Sequence, residues 1–348
     1  MAFDTAALFQ PVTLGALTLP NRLVMAPLTR TRAIDHLPNQ LMAEYYAQRA
    51  SAGLIISECT MVTAHTSAFG NDPGIYSSEQ IAGWQKTTDA VHKAGGKIFM
   101  QIWHSGRAAH PLLNNGKPAV GPSAIAIEKG IIHTSTGKQA YTVPLELSHA
   151  EIDAIVADFR QGAANAIAAG FDGVEIHAAN GYLIDAFLRE SANQRKDQYG
   201  GSLENRARFL LEVLAAVNAE IGSQRVGVRL SPLNDFNDMH TSEPLAFIRY
   251  LAEQLNDLDL AYLHVMRGGF FDMEGPDVLA TARAHYKGHL MVNMAYEAAE
   301  AAAVLRDKMA DSVAFGKAFI ANPDLPARIK AGAELNTPDP PPFIVRMP

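Results

Sequence analysis

The sequence predicts a closed parallel (βα)8 barrel, and three observations carry that prediction. Eight short apolar runs alternate with amphipathic helical stretches along the chain. Each run is almost continuously hydrophobic, as strands covered on both faces must be. Polar side chains collect where these runs end, which is where barrel enzymes carry their chemistry. The 348 residues suit one large barrel or two average domains, and the unbroken alternation predicts a single domain over residues 1–348.

Residues 9–19 alternate about Gly15 and read as a hairpin that plugs one barrel end. Residues 22–26 and 54–58 form the first two strands, with a helix over 42–52 between them. Ser77 and Gln80 make a capping box for the next helix, whose apolar face is Ile81, Trp84, Thr88 and Val91. Gly95 and Gly96 end that helix, and residues 97–103 are the third strand. Residues 104–147 are rich in Gly, Pro, Ser and Asn and form a long insertion, as a lid or small subdomain would.

Ser148 and Glu151 cap a helix with Ile152, Ile155, Val156, Phe159, Ala163 and Ile167 inward. Residues 173–177 are the fourth strand, and Ser202 caps the helix that buries Phe209, Leu210, Val213, Leu214 and Val217. Strands five to eight fall at 226–230, 262–266, 289–293 and 312–316. The remaining helices start at Pro244, a position where proline is tolerated, and cover 296–309 and 324–330. Pro340, Pro341 and Pro342 preclude regular structure, so residues 337–348 read as an extended tail.

Net charge is −7 with acids and bases interspersed, which argues against nucleic acid as a partner. Cys59 is the only cysteine, so no intrachain disulfide forms and a reducing compartment fits. No apolar run approaches the roughly 18 residues of a membrane span, and the first residues lack a signal-peptide pattern. The expectation is a soluble cytoplasmic protein, monomer or homodimer, acting on a small molecule.

The strand ends supply Thr29, Glu58, Cys59, Gln101, Trp103, His104, His177, Asn180, Tyr182, Arg229, His264, Asn293, Gly316 and Lys317. Donors outnumber carboxylates, which suits a flat, anion-accumulating ligand edged with carbonyls. Gln101 offers a bidentate amide and Arg229 a fixed cation. Both are costly inside apolar strands without a partner. Barrel phosphate sites follow strands seven and eight, here Asn293-Met294-Ala295 and Gly316-Lys317. No Gly-x-Gly-x-x-Gly follows any strand, so a Rossmann unit is not expected. His177 and Asn180 can jointly donate to a carbonyl oxygen, and the Tyr182 phenol can donate a proton. Asn193, Arg195, Asp197, Glu204, Asn205 and Arg206 read as a polar network pinning a loop. Phe69, Phe270 and Phe271 either wall a pocket or pack locally, and Cys59 reads as a small apolar residue.

The run His177-x-x-Asn180-Gly181-Tyr182-Leu183, with Asn193-x-Arg195-x-Asp197-x-Tyr199-Gly200-Gly201-Ser202-x-Glu204-Asn205-Arg206 after it, resembles the signature of the old yellow enzyme family. The similarity extends from about Leu8 to Asn336. The resemblance implies a TIM-barrel ene-reductase with tightly bound, non-covalent flavin mononucleotide (FMN). It implies ping-pong hydride transfer from NAD(P)H through FMN to the β-carbon of enones, enals or maleimides. His177 and Asn180 would hold the acceptor and Tyr182 would protonate its α-carbon. Pro27, Leu28, Thr29, Cys59, Gln101, Arg229, Asn293, Met294, Ala295, Gly316 and Lys317 would contact FMN, with Thr29 tuning its potential. Phe69, Trp103 and Phe271 would line the substrate site, and no metal is implied.

The chain departs from the family at Met294, where a glycine is usual, at Lys317 in place of arginine, and at Ala186 in place of glutamine. The family's tyrosine-rich carboxyl-terminal tail is also missing. A metal-dependent barrel hydrolase or aldolase built on His104, His177 and His264 is the alternative, opposed by the lack of a His-x-His pair or clustered carboxylates. A flavin-binding protein without turnover is the other, motivated by Met294 and Lys317.

Overall fold

The computed structural model describes residues 4–338. Eight strands form the barrel: β1 Leu23–Met25, β2 Leu54–Ile56, β3 Ile98–Trp103, β4 Gly173–Ala178, β5 Val226–Leu230, β6 Tyr262–Met266, β7 Leu290–Asn293 and β8 Ser312–Phe315. Each pairs in parallel with the next, β8 pairs with β1, and β3 pairs with β4, so the sheet closes. A two-residue strand, Thr60–Met61, extends the pairing beside the end of β3. Closure leaves no strand edge unpaired, which a parallel sheet of this length needs.

The helices are α1 Gln40–Ala47, α2 Ser78–Lys93, α3 His149–Ala168, α4 Leu203–Ile221, α5 Pro244–Asn256, α6 Val278–His285, α7 Ala298–Arg306 and α8 Leu325–Ala331. The capping boxes expected at Ser77 and Ser148 both form. Outward strand residues such as Val174, Ile176, Val228 and Val265 share one core with Phe159, Leu210 and Leu251 of the helices. α1 and α7 are shorter than the apolar pattern suggests, because their last predicted turns are turn residues instead. α6 is a helix the sequence reading did not predict; Asp277 caps it through the Ala280 N–H. Two further short helices, Leu183–Leu188 and Lys317–Ala321, follow β4 and β8.

The amino-terminal hairpin pairs Val12–Leu14 with Leu17–Leu19 about Gly15, whose φ of +52° is one glycine adopts readily. Its Leu14 and Leu19 are buried with Val24, Leu54, Phe99, Tyr262 and Met291 inside the barrel. That cluster fills one end, so the polar residues must gather at the other.

Residues 104–147 carry Val120–Gly121 paired with Leu145–Glu146 and the small hairpin Ile132–Thr134 with Gly137–Gln139. Buried Arg107 donates to Ile125 O at 3.1 Å and to Asn237 O at 2.6 Å, tying this insertion to the loop after β5. The tail expected over residues 337–348 lies outside the described residues from Asp339 on. Among the described residues, no helix is long and apolar enough to cross a membrane.

Candidate active site

Alternation along β4 sends Val174 and Ile176 to the helices and Glu175 and His177 into the barrel. Register places Glu175 beside Gln101 of β3, His177 beside Arg229 of β5, and Arg229 beside His264 of β6. All five are buried. Glu175 accepts from Gln101 Nε2 at 2.8 Å and from His264 Nδ1 at 2.8 Å. Burial alone would push the Glu175 carboxyl up, but His264, Arg229 and the Gln101 hydrogen bond outweigh it and hold its pKa below the ordinary value. Burial lowers the His264 pKa against the pull of Glu175, and the ring donates its Nδ1–H to that carboxylate.

Four rings meet at the carboxyl ends of β3 and β4. Trp103 stacks on Phe69 at 5.9 Å between centroids, meets Tyr182 edge-on at 4.4 Å, and lies 6.2 Å from His177. His177 and Tyr182 cross edge-to-face at 5.0 Å. Burial, then the charge of Arg229, drives the His177 pKa well below its usual value, so this imidazole is neutral across the physiological range. Burial drives the Tyr182 phenol well above its usual value, so it keeps its proton.

Asn180 has φ +60°, a conformation asparagine tolerates better than most residues. The loop after β5 holds it there. Asn180 N donates to Ser231 Oγ at 2.8 Å, Asn237 Nδ2 donates to Asn180 O at 3.0 Å, and Asn234 Nδ2 donates to Asn180 Oδ1 at 2.8 Å. Below it, Asp185 accepts from Gly181 N and Arg189 Nε, while Arg189 also donates to the carbonyls of Pro232 and Ser231. The Asp185–Arg189 pair therefore joins the loops after β4 and β5.

Pro27, Leu28 and Thr29 follow β1, and the Thr29 hydroxyl lies 3.0 Å from Cys59 Sγ after β2. Arg229 donates to Asn293 Oδ1 at 3.0 Å, and Asn293 Nδ2 donates to Ala314 O at 2.7 Å. After β7, Met294 has φ +94° and Ala295 φ +51°. The Arg267 guanidinium holds both carbonyls, Met294 O at 2.8 Å and Ala295 O at 3.2 Å. Gly316 precedes the short helix opened by Lys317.

Phe271 is 86% exposed, and Phe270 packs against Phe236. The structure thus brings Phe69 and Trp103 to the His177 cluster but does not bring Phe271 there. Asn193, Arg195 and Arg206 reach backbone carbonyls of Phe187, Tyr199, Pro122, Leu147 and Leu188, the loop-pinning network expected of them.

Residues 7–336 match the profile of the NADH:flavin oxidoreductase / NADH oxidase family. The chain belongs to this family. A probable flavin mononucleotide-dependent alkene reductase of Leishmania infantum is 49% identical over 343 residues, covering 97% of this chain and 93% of that protein. A putative 12-oxophytodienoate reductase of Oryza sativa is 42% identical over 97% of this chain and 90% of its own length. Among solved structures, the old yellow enzyme of Trypanosoma cruzi superposes with TM-score 0.95 at 42% identity, covering 99% of this chain and 97% of that one. Morphinone reductase superposes with TM-score 0.94 at 45% identity, covering 99% and 94%. The protein is therefore an FMN-dependent oxidoreductase of the old yellow enzyme type, on that family's TIM barrel.

The residues present fit FMN. Trp103 Nε1, His177 Nδ1 and Arg229 Nε are buried with no hydrogen-bond partner, and all belong to β3, β4 and β5 near their carboxyl ends. Unpaired buried nitrogens are costly, and the indole and guanidinium N–H groups among them indicate a ligand that offers acceptors. Glu175, Ser231, Asn234 and Asn237 were missed by the sequence reading. A carboxylate between Val174 and Ile176 in an apolar strand was the available signal for the first. The other three looked like ordinary loop polarity.

Proposed function

We propose that the protein is a ping-pong ene-reductase acting on activated alkenes such as enones, enals and maleimides, with NAD(P)H as reductant. Bound FMN would supply the redox chemistry, accepting hydride from the nicotinamide and passing it to the acceptor's β-carbon. The chain's own residues would do the rest. Neutral His177 and the Asn180 carboxamide donate to the acceptor's carbonyl oxygen, where negative charge grows as the β-carbon is attacked. A neutral imidazole can donate without first gaining a proton, so this grip persists at neutral and alkaline pH. Tyr182 delivers its proton to the α-carbon. Its raised pKa keeps the phenol protonated until that carbon becomes basic. Phe69 and Trp103 exclude water beside the reacting bond. Pro27, Leu28, Thr29, Cys59, Gln101 and Arg229 would border the ring, and Asn293, Met294, Ala295, Gly316 and Lys317 its phosphate.

The observation that carries this reading is the buried, unpartnered Nδ1 of His177, on a ring whose centroid lies 5.0 Å from that of the buried Tyr182 phenol. No observation favours a metal-dependent hydrolase. His264 donates to Glu175, His104 Nδ1 accepts from Gly106 N, and no three acidic, His or Cys groups among the described residues gather at ligand spacing. Purified yellow protein should bleach anaerobically with NADH or NADPH and regain its colour with 2-cyclohexenone. Bleaching without recovery under any activated alkene would support flavin binding without turnover and overturn the proposal.

A further inference from the structure

We infer that Asn234 is a positioning residue that fixes Asn180 as a hydrogen-bond donor toward the acceptor. The inference rests on the reading that Asn180 holds the acceptor's oxygen. A carboxamide has one face that only accepts and one that only donates, so its orientation decides what it can bind. For Asn180 the orientation follows from a chain of partners that starts at the backbone.

Asn234 Oδ1 lies 3.2 Å from Phe270 N and 3.4 Å from Phe236 N. Backbone N–H groups only donate, so this atom of Asn234 must be the oxygen. Its other end, Nδ2, is then the donor that meets Asn180 at 2.8 Å. The Asn180 atom facing it must therefore be Oδ1, because two NH2 groups would otherwise oppose each other. Asn180 is left with Nδ2 directed away from Asn234, and among the described residues this nitrogen has no hydrogen-bond partner. Asn234 is 1% exposed and Asn180 5%, so water does not randomise either amide. Ser231 Oγ and Asn237 Nδ2 fix the Asn180 backbone but leave its side-chain torsion open, so the carboxamide's facing depends on Asn234.

The same oxygen ties the exposed loop around Phe270 and Phe271 to the site. Asn234 is thus a single side chain shared between the loop after β6 and the acceptor's grip.

The test is Asn234→Asp, with Asn234→Ala, Asn180→Ala and the double variant Asn180→Ala/Asn234→Asp, all as FMN-loaded enzymes. The new carboxylate only accepts, so it draws the Asn180 NH2 toward itself and turns an oxygen to the acceptor. Asn234→Asp should lower kcat/KM for 2-cyclohexenone about 10- to 100-fold, the range for opposing a buried hydrogen bond. Asn234→Ala, which releases the amide without reversing it, should lose less. In the Asn180→Ala background, Asn234→Asp should cost nothing further; a merely structural role would give an additive loss. FMN content and thermal midpoint identify misfolded variants, and Asn234→Ala carries the comparison if the aspartate variant fails to load FMN. An additive loss, or wild-type kcat/KM in the loaded Asn234 variants, overturns the inference while leaving the Asn180 reading intact. Wild-type activity in Asn180→Ala overturns both.

Discussion

Glu175 accepts a hydrogen bond from Gln101 Nε2 at 2.8 Å, across the β3–β4 seam that closes the barrel. The carboxylate also accepts from His264 at 2.8 Å, so an acceptor-only group lies between two donors. This fixes which end of the Gln101 amide is left for a ligand. Glu175→Gln places an NH2 against one of those donors. FMN affinity should fall about tenfold or more, the usual consequence of one unpaired buried donor. Quenching of FMN fluorescence on titration with apoprotein measures it; an unchanged dissociation constant in a folded variant contradicts the assignment.

Glu58 gives stability an unusual pH dependence. Burial pushes its carboxyl up to about 7, although Arg30 N and the Tyr46 hydroxyl donate to it. The unfolded chain ionises near 4.5. Between those values folding takes up a proton, so this group makes stability fall as pH rises from about 4.5 to about 7. Glu58→Gln should flatten that slope. Urea midpoints at pH 5 and pH 8 should show the variant gaining about 1–3 kcal/mol at pH 8 relative to pH 5. An equal difference at both pH values contradicts it.

The barrel itself was legible because parallel strands must be apolar on both faces, and the eight runs stand out on that basis. The site was legible because Gln101, His177 and Arg229 interrupt or end such runs. What escaped is tertiary. Asn234 meets Asn180 across 54 positions of chain, and no local pattern marks that pairing. Glu175 reads as an isolated charge until the register sets Gln101 and His264 around it. Helix α6 follows a glycine-rich loop and is only eight residues long, too short for a firm apolar period. Phe271 shows the converse, a loop aromatic whose exposure the sequence could not decide.

Met294 takes φ +94°, a backbone conformation that glycine adopts freely and a residue with a side chain does not. The strain of such a residue is on the order of 1–3 kcal/mol. Met294→Gly should relieve it and let the backbone approach a phosphate more closely. FMN should bind severalfold more tightly and the thermal midpoint should rise by about 2–4 °C for each kcal/mol regained. Weaker binding, with a lower midpoint, would show that the methionine side chain matters more than its backbone.

Tyr182 is the most direct test of the chemistry, because its proton enters only one of the two half-reactions. In anaerobic stopped-flow, Tyr182→Phe should bleach with NAD(P)H at nearly the wild-type rate. Its reoxidation by 2-cyclohexenone should slow by about 10²-fold or more, the usual contribution of a placed proton donor. Equal slowing of both half-reactions, or no slowing of the second, would contradict the role given to this phenol.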